Sequence, residues 1–237
     1  YGADGKCIGV TTPQRAALLF ARYKAAAAAG LHAEITPAPA GFAAELGGLL
    51  LRHFEEARTQ PGRWSAPVPL LRVLQAHASG AISERYTTPL LCADLAGGYH
   101  SAHPRDKLFG ASPPALQLRH TGSSVACPAP HEAAAATKHA LHAARESNTA
   151  LTFLILADRN GRSQTEALRL LASHAGLCTT VGTIKGLMAR PPEAWQGSPP
   201  KATSPGACVR IVAVMSETRR QQLPSDWMLR LRRDVQA

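Results

Sequence analysis

Apolar and polar residues follow two different periods along this chain, and the change of period falls about a third of the way in. Residues 16–29 are alanine-rich helix formers; Thr11 or Thr12 can cap them, Pro13 suits the first turn and Gly30 stops them. Leu46, Leu49, Leu50 and Phe54 recur at helical spacing within residues 42–58, predicting a second helix that Gly47 and Gly48 weaken by about 1 kcal/mol each. A third helix is predicted over residues 68–79. No strand pattern occurs in this first third, and Pro37, Pro39, Pro61, Pro67 and Pro69 divide it into helices joined by loops.

From Ile82 onward, short apolar runs alternate with helical patterns, as they do when strands and helices alternate around a mostly parallel sheet. Residues 151–157 (Leu-Thr-Phe-Leu-Ile-Leu-Ala) are apolar at nearly every position, which predicts a central strand covered on both faces. An alanine-rich helix over residues 131–147 precedes it. A turn at 158–161, a helix at 163–175 ended by Gly176, and a short strand at 178–184 follow, making a βαβ unit. Residues 191–206 hold five prolines and read as a long loop, 208–215 as a strand, and 225–235 as a short helix capped by Ser225 or Asp226. The expected organisation is a helical region at 1–80, an α/β domain at 81–218 and a basic helix or tail at 219–237.

Composition narrows the function classes. With 237 residues, 45% hydrophobic and 18% charged, the chain can bury a real core and is not disordered throughout. Cys7, Cys92, Cys127, Cys178 and Cys208 are odd in number, scattered and without a C-x-x-C pair, which argues against a disulfide framework or a zinc ribbon and fits a reducing compartment. No apolar run approaches the roughly 20 residues that cross a bilayer, so no membrane partner is expected. The chain begins at Tyr1 without an initiator methionine, as a processed, a truncated or an internally started chain would, so an import presequence could already be gone and the compartment stays open.

Lys and Arg outnumber Asp and Glu by 26 to 16, and a formal charge of +10 favours polyanions such as RNA. Arg219, Arg220, Arg230, Arg232 and Arg233, with Trp227 among them, form a candidate phosphate-contacting surface; a solvated helix face is the plainer reading of the same residues.

Other candidate chemistry is sparse. His131, His139 and His142 share one predicted helix, but no carboxylate or cysteine joins them at ligand spacing, so no metal is expected. Cys127 lies four residues before His131, which makes a nucleophile and base pair conceivable, although the spacing on a turn with two prolines carries no signature and a small buried cysteine is commoner. Asp158-Arg159-Asn160-Gly161 follows the central strand, at the end of a parallel sheet where ligands bind, yet it reads as a polar turn. Gly97-Gly98 and Gly122 are isolated, with no G-x-G-x-x-G loop.

Several local matches then fall in one order. Tyr86-Thr87-Thr88-Pro89-Leu90-Leu91-Cys92 looks like a Phe-Ala-Ser-Pro-Leu-Asn-Cys segment, Phe109-Gly110-Ala111 like Phe-Gly-Ser, and Leu116-Gln117-Leu118 like Leu-Asp-Phe. Residues 122–130, Gly-Ser-Ser-Val-Ala-Cys-Pro-Ala-Pro, look like Gly-Ser-Phe-Glu-Ala-Asn-Pro-Pro-Phe. On these segments the stretch from residue 84 to 215 resembles the phosphorylated-CTD-interacting-factor family, adenosine N6-methyltransferases that act on the cap-adjacent nucleotide of messenger RNA. The resemblance covers a little over half the chain. It implies a Rossmann-like S-adenosylmethionine methyltransferase fold, a mostly parallel sheet flanked by helices, with an N-terminal helical layer.

The same resemblance implies lost chemistry. In the family the Asn and a proline carbonyl of the Asn-Pro-Pro-Phe tetrad accept the N6 hydrogens of the adenine, and the aromatic ring stacks on it. Here the tetrad is Cys127-Pro128-Ala129-Pro130, so a thiol replaces the amide and a proline replaces the ring. Stacking is worth about 1 to 3 kcal/mol per base, and positioning is most of what methyl transfer asks of a protein. Gln117 stands where the family has an acidic residue on the cofactor side. The expectation is therefore no catalytic residue, no cofactor and no metal. The implied role is a structural subunit or assembly factor of an RNA-containing complex, such as a mitochondrial ribosome, without DNA sequence readout. The alternative is an active RNA adenine N6-methyltransferase that binds S-adenosylmethionine. The expected location is mitochondrial, with the nucleus as the alternative.

Overall fold

The computed structural model of the chain describes residues 12–30, 39–59, 65–78, 80–93, 95, 97–114, 121–157, 162–185 and 208–236. Its centre is the apolar run foreseen as a strand. All seven residues of Leu151–Ala157 are buried, since neighbours on both edges and helices on both faces leave such a sequence no contact with water. In chain order the strands are β1 (Ile82–Arg85), β2 (Ser123–Ala126), β3 (Leu151–Ala157), β4 (Cys178–Lys185) and β5 (Cys208–Met215), and they lie in the order β1-β2-β3-β5-β4. β1, β2 and β3 pair in parallel. β5 runs against both β3 and β4, so four strands share one direction and a single reversed strand is inserted near the edge.

The sheet continues past β1 in two single parallel bridges, Glu84 with Tyr99 and His100 with Ser112. Backbone bonds from Glu84 N to Gly98 O at 2.9 Å and from His100 N to Glu84 O at 2.8 Å hold the first of these in place. The approach is so close at Gly97 that a Cβ would stand 2.5 Å from the carbonyl carbon of Ile82, and only glycine fits there.

Helices cover both faces. On one, α3 (Val68–His77) and α7 (Trp227–Gln236) lay Leu71, Leu74, Trp227 and Leu231 against Ile82, Phe153, Ile155 and Ile211. Trp227 stacks on Phe153 with ring centroids 6.3 Å apart and donates its Nε1 hydrogen to His77 O at 2.8 Å, so its one polar group is satisfied inside the core. On the other face, α4 (Ala133–Glu146) presents Ala133, Ala136, Ala140 and Ala144, and α5 (Arg162–Ser173) presents Ala167 and Leu171, to Leu154, Leu156, Val212 and Val214. Each fully buried Leu, Val or Phe contributes roughly 1.5–3 kcal/mol, which makes this double-sided core the main source of stability.

α1 (Pro13–Ala28) and α2 (Pro39–Thr59) build a separate cluster from Leu19, Tyr23 and Leu49 with Leu90, Leu108 and Phe109. Thr12 caps α1, its side chain accepting from Arg15 N at 3.2 Å, as its sequence predicts. α3, which the sequence groups with α1 and α2, belongs instead to the core of the sheet. A short α6 (Glu217–Gln221), capped by Ser216, links β5 to α7. Among the described residues no helix is long and apolar enough to cross a membrane.

Candidate functional site

Ligands of open α/β sheets bind beyond the carboxyl ends of the strands, where the chain switches its direction of travel across the sheet. Here the chain leaves β1, moves outward to Tyr99 and Ser112, and returns inward to β2. The switch point lies between β1 and β2, and two segments meet it: the one that starts at Tyr86 and the one that starts at Cys127.

The second of these is closed. Cys127 is 2% exposed and Ala129 fully buried, Pro128 is buried between them, and Pro130 is half-buried. Cys127 belongs to the same core cluster as Ala66, Leu95 and Val125. Pro130 opens a single 3-10 turn, Pro130–Glu132, and Glu132 folds back to accept from Ala129 N at 3.2 Å before α4 begins. His131 is exposed while Cys127 is enclosed, so the two do not form a nucleophile and base open to a substrate.

Around β1 the burial is as deep but the groups are polar. Glu84 accepts from Ser65 Oγ at 2.9 Å and Ala93 N at 2.6 Å, pinning the chain before α3 and the loop after β1 to the strand. Arg85 lies 3.4 Å from His139 Nδ1, and burial lowers its pKa to about 10. Tyr86 has φ 60°, a left-handed conformation that costs a bulky residue about 1–3 kcal/mol. Its hydroxyl is buried without a partner among the described residues, and that burial raises the phenol well above its ordinary range, with Arg85 pulling it part of the way back. The hydroxyls of Thr87 and Thr88 are buried and unpaired in the same way.

A small cleft opens beside Thr88, lined by Leu49, Arg52, His53, Ser101 and Asp106. Asp106 is 2% exposed and takes a hydrogen bond from Arg52 Nη2 at 3.0 Å and another from Ser101 Oγ at 2.5 Å. α1 clamps the same loop from outside: Arg15 donates to Cys92 O at 2.7 Å, and the Arg22 guanidinium lies 5.3 Å from the centre of the Tyr99 ring. Sequence reasoning missed this cleft, because Arg52 and Asp106 are 54 positions apart and neither stands in a motif.

The five tail arginines are spread over two helices, and each has a partner within the chain. Arg219 reaches Ala78 O at 3.3 Å, Arg220 reaches Gly176 O at 2.8 Å, and Arg232 reaches Thr180 O at 2.9 Å. Arg230 pairs with Asp226 at 3.1 Å and Arg233 with Asp234 at 2.9 Å. Arg219 and Arg220 are half-buried; Arg230, Arg232 and Arg233 are exposed, as is Leu229 at 69%. Trp227 faces the core and is not free to stack on a base.

Among the described residues no three His, Cys, Asp or Glu side chains are grouped to hold a metal ion. Gln117, the turn at 158–161 and the loop at 191–206 lie outside the described residues. Compared with protein-family models and with curated proteins, the chain matches none.

Proposed function

We propose that this chain is a catalytically inactive methyltransferase-like protein, serving as a structural subunit or assembly factor of an RNA-containing complex, a mitochondrial ribosome in particular. The observation that carries the reading is the closure of Cys127-Pro128-Ala129. A segment that holds a substrate base has to present its acceptors to an open pocket, and this one is built into the core with neither amide nor aromatic ring. The single reversed strand inserted beside the edge, and the two parallel bridges beyond β1, support a methyltransferase-type ancestry for the sheet.

The RNA part rests on charge. Arg230 is held by the exposed carboxylate of Asp226 and Arg233, itself exposed, by the half-buried one of Asp234; pairs at the surface are worth about 0–1 kcal/mol, so a phosphate can replace the partner at little cost. Arg232 is bonded to a neutral backbone carbonyl, that of Thr180. These three are the proposed phosphate contacts, whereas Arg219 and Arg220 serve mainly to fasten α6 to the sheet.

Two measurements test the proposal separately. Calorimetry with S-adenosylmethionine should give no heat of binding up to millimolar ligand, and purified protein should leave RNA adenines unmethylated; micromolar binding with N6-methylated product would establish the active enzyme instead. The variant Arg230→Glu/Arg232→Glu/Arg233→Glu should lose co-purification with ribonucleoprotein and flatten the salt dependence of RNA binding. RNA binding unchanged in that variant would remove α7 from the interface.

A further inference from the structure

Gly47 and Gly48 lie in the interior of α2, where each costs the helix up to about 1 kcal/mol relative to alanine. Packing does not ask for them. Among the described residues a Cβ at Gly47 would meet nothing within 4 Å, and one at Gly48 would touch only the guanidinium of Arg52, at 3.5 Å. Gly97, jammed against Ile82, shows what a sterically required glycine looks like. The backbone does not ask for them either, since neither has a positive φ. Adjacent glycines that satisfy no steric or dihedral need are a built-in weak point, and helices bend at such pairs.

Past this point α2 takes on a different task. Leu49 enters the satellite core, Arg52 bonds the buried carboxylate of Asp106, and with His53 they roof the cleft beside Thr88. Beneath the roof, Thr88 is 6% exposed and its hydroxyl has no partner, so covering it costs free energy that uncovering would return. The burial of Leu49 and the ion pair of Arg52 with Asp106 are among the contacts that oppose that return at the roof itself; Arg105 to Glu45, at 3.2 Å, ties down the half of α2 before the glycines.

We propose that Gly47–Gly48 is a hinge and that residues 49–56 are a lid over the cleft at the carboxyl end of β1, latched by Arg52 on Asp106. Open, the floor of the cleft offers the carboxylate of Asp106, the hydroxyls of Thr88 and Ser101 and the imidazole of His103, with the carboxylate of Glu56 on the lid. It therefore takes a group rich in hydrogen-bond donors and positively charged, as Arg52 is when the lid is shut. The lid does not depend on the methyltransferase reading.

Native-state amide hydrogen exchange on the full chain, with thiol labelling of a Thr88→Cys variant against the wild-type cysteine background, tests the hinge. Amides in 49–56 should exchange through local opening, faster than those of β3. Gly47→Ala/Gly48→Ala should slow both that exchange and the labelling at position 88 by about tenfold, the effect of some 1.4 kcal/mol of added helix stability. Arg52→Ala should speed both, leaving β3 and residues 39–46 unchanged; in the double-alanine background it should speed both halves of α2 together, because the helix then moves as one rod. Exchange of 49–56 only with the whole protein, alanines without effect on either rate, or Arg52→Ala releasing 39–46 equally while the glycines are present would each overturn the hinge.

Discussion

Two segments leave neighbouring parallel strands at the same end of the sheet and are closed in opposite ways. After β2, Cys127, Pro128 and Ala129 are buried, and Cys127 belongs to the main core cluster. After β1, Tyr86, Thr87 and Thr88 are buried nearly as deeply, yet they carry three hydroxyls without partners and one strained backbone. Burial by itself does not distinguish a crevice that has been absorbed from one that has only been roofed; whether the polar atoms inside are satisfied does.

The largest effect that bears on this contrast is expected at Cys127. Cys127→Asn puts a larger side chain into the cluster that holds Ala66, Leu95 and Val125, and overpacking a buried position costs about 1–3 kcal/mol, so the urea midpoint should fall accordingly. An unchanged midpoint would mean that the segment is not core. Changes of the opposite sense are expected after β1. Thr88→Val and Tyr86→Phe each remove a hydroxyl that gains nothing where it lies, and each should leave stability unchanged or raise it by up to about 1 kcal/mol. A loss from either substitution would show that its hydroxyl is bonded after all.

The smallest effect belongs to the seam between α3 and α7. Asp234, bonded to Arg233 and His77, has its pKa lowered from 3.8, by Arg233 first and His77 second. A carboxyl whose folded pKa lies below its unfolded value adds stability above the unfolded value and loses it as pH falls through the folded one. Urea midpoints of the wild type and Asp234→Asn should therefore converge on acidification below 3.8, and stay apart above it. This seam lies on the face opposite α4, so exchange under the α2 lid should not follow it.

Elements with a strong local signal were legible in the sequence. The cap and stop of α1, the limits of β3 and β5, and the glycine pair of α2 all follow from residue type and period. β2 was not, because Ser123–Ala126 is four residues long and has only one large apolar side chain; its partners on either side make it a strand. Nor was the 3-10 turn at Pro104–Phe109, which supplies Asp106. The tail arginines were visible as charge, but charge does not show that Arg219, Arg220 and Arg232 spend hydrogen bonds on backbone carbonyls up to 141 positions away. The cleft itself rests on long-range pairs, Arg52 with Asp106 and Ser65 with Glu84, which no local pattern encodes.

The place of β5 has a consequence for biosynthesis. Among the described residues it is the last strand, and it separates β3 from β4. During translation the most apolar strand of the molecule lacks its β5 neighbour until residues 208–215 emerge, and β4 lacks the same partner until then. Nascent chains paused short of that point should be the species that chaperones hold and that aggregates recruit, since an unpaired apolar edge is a template for other strands.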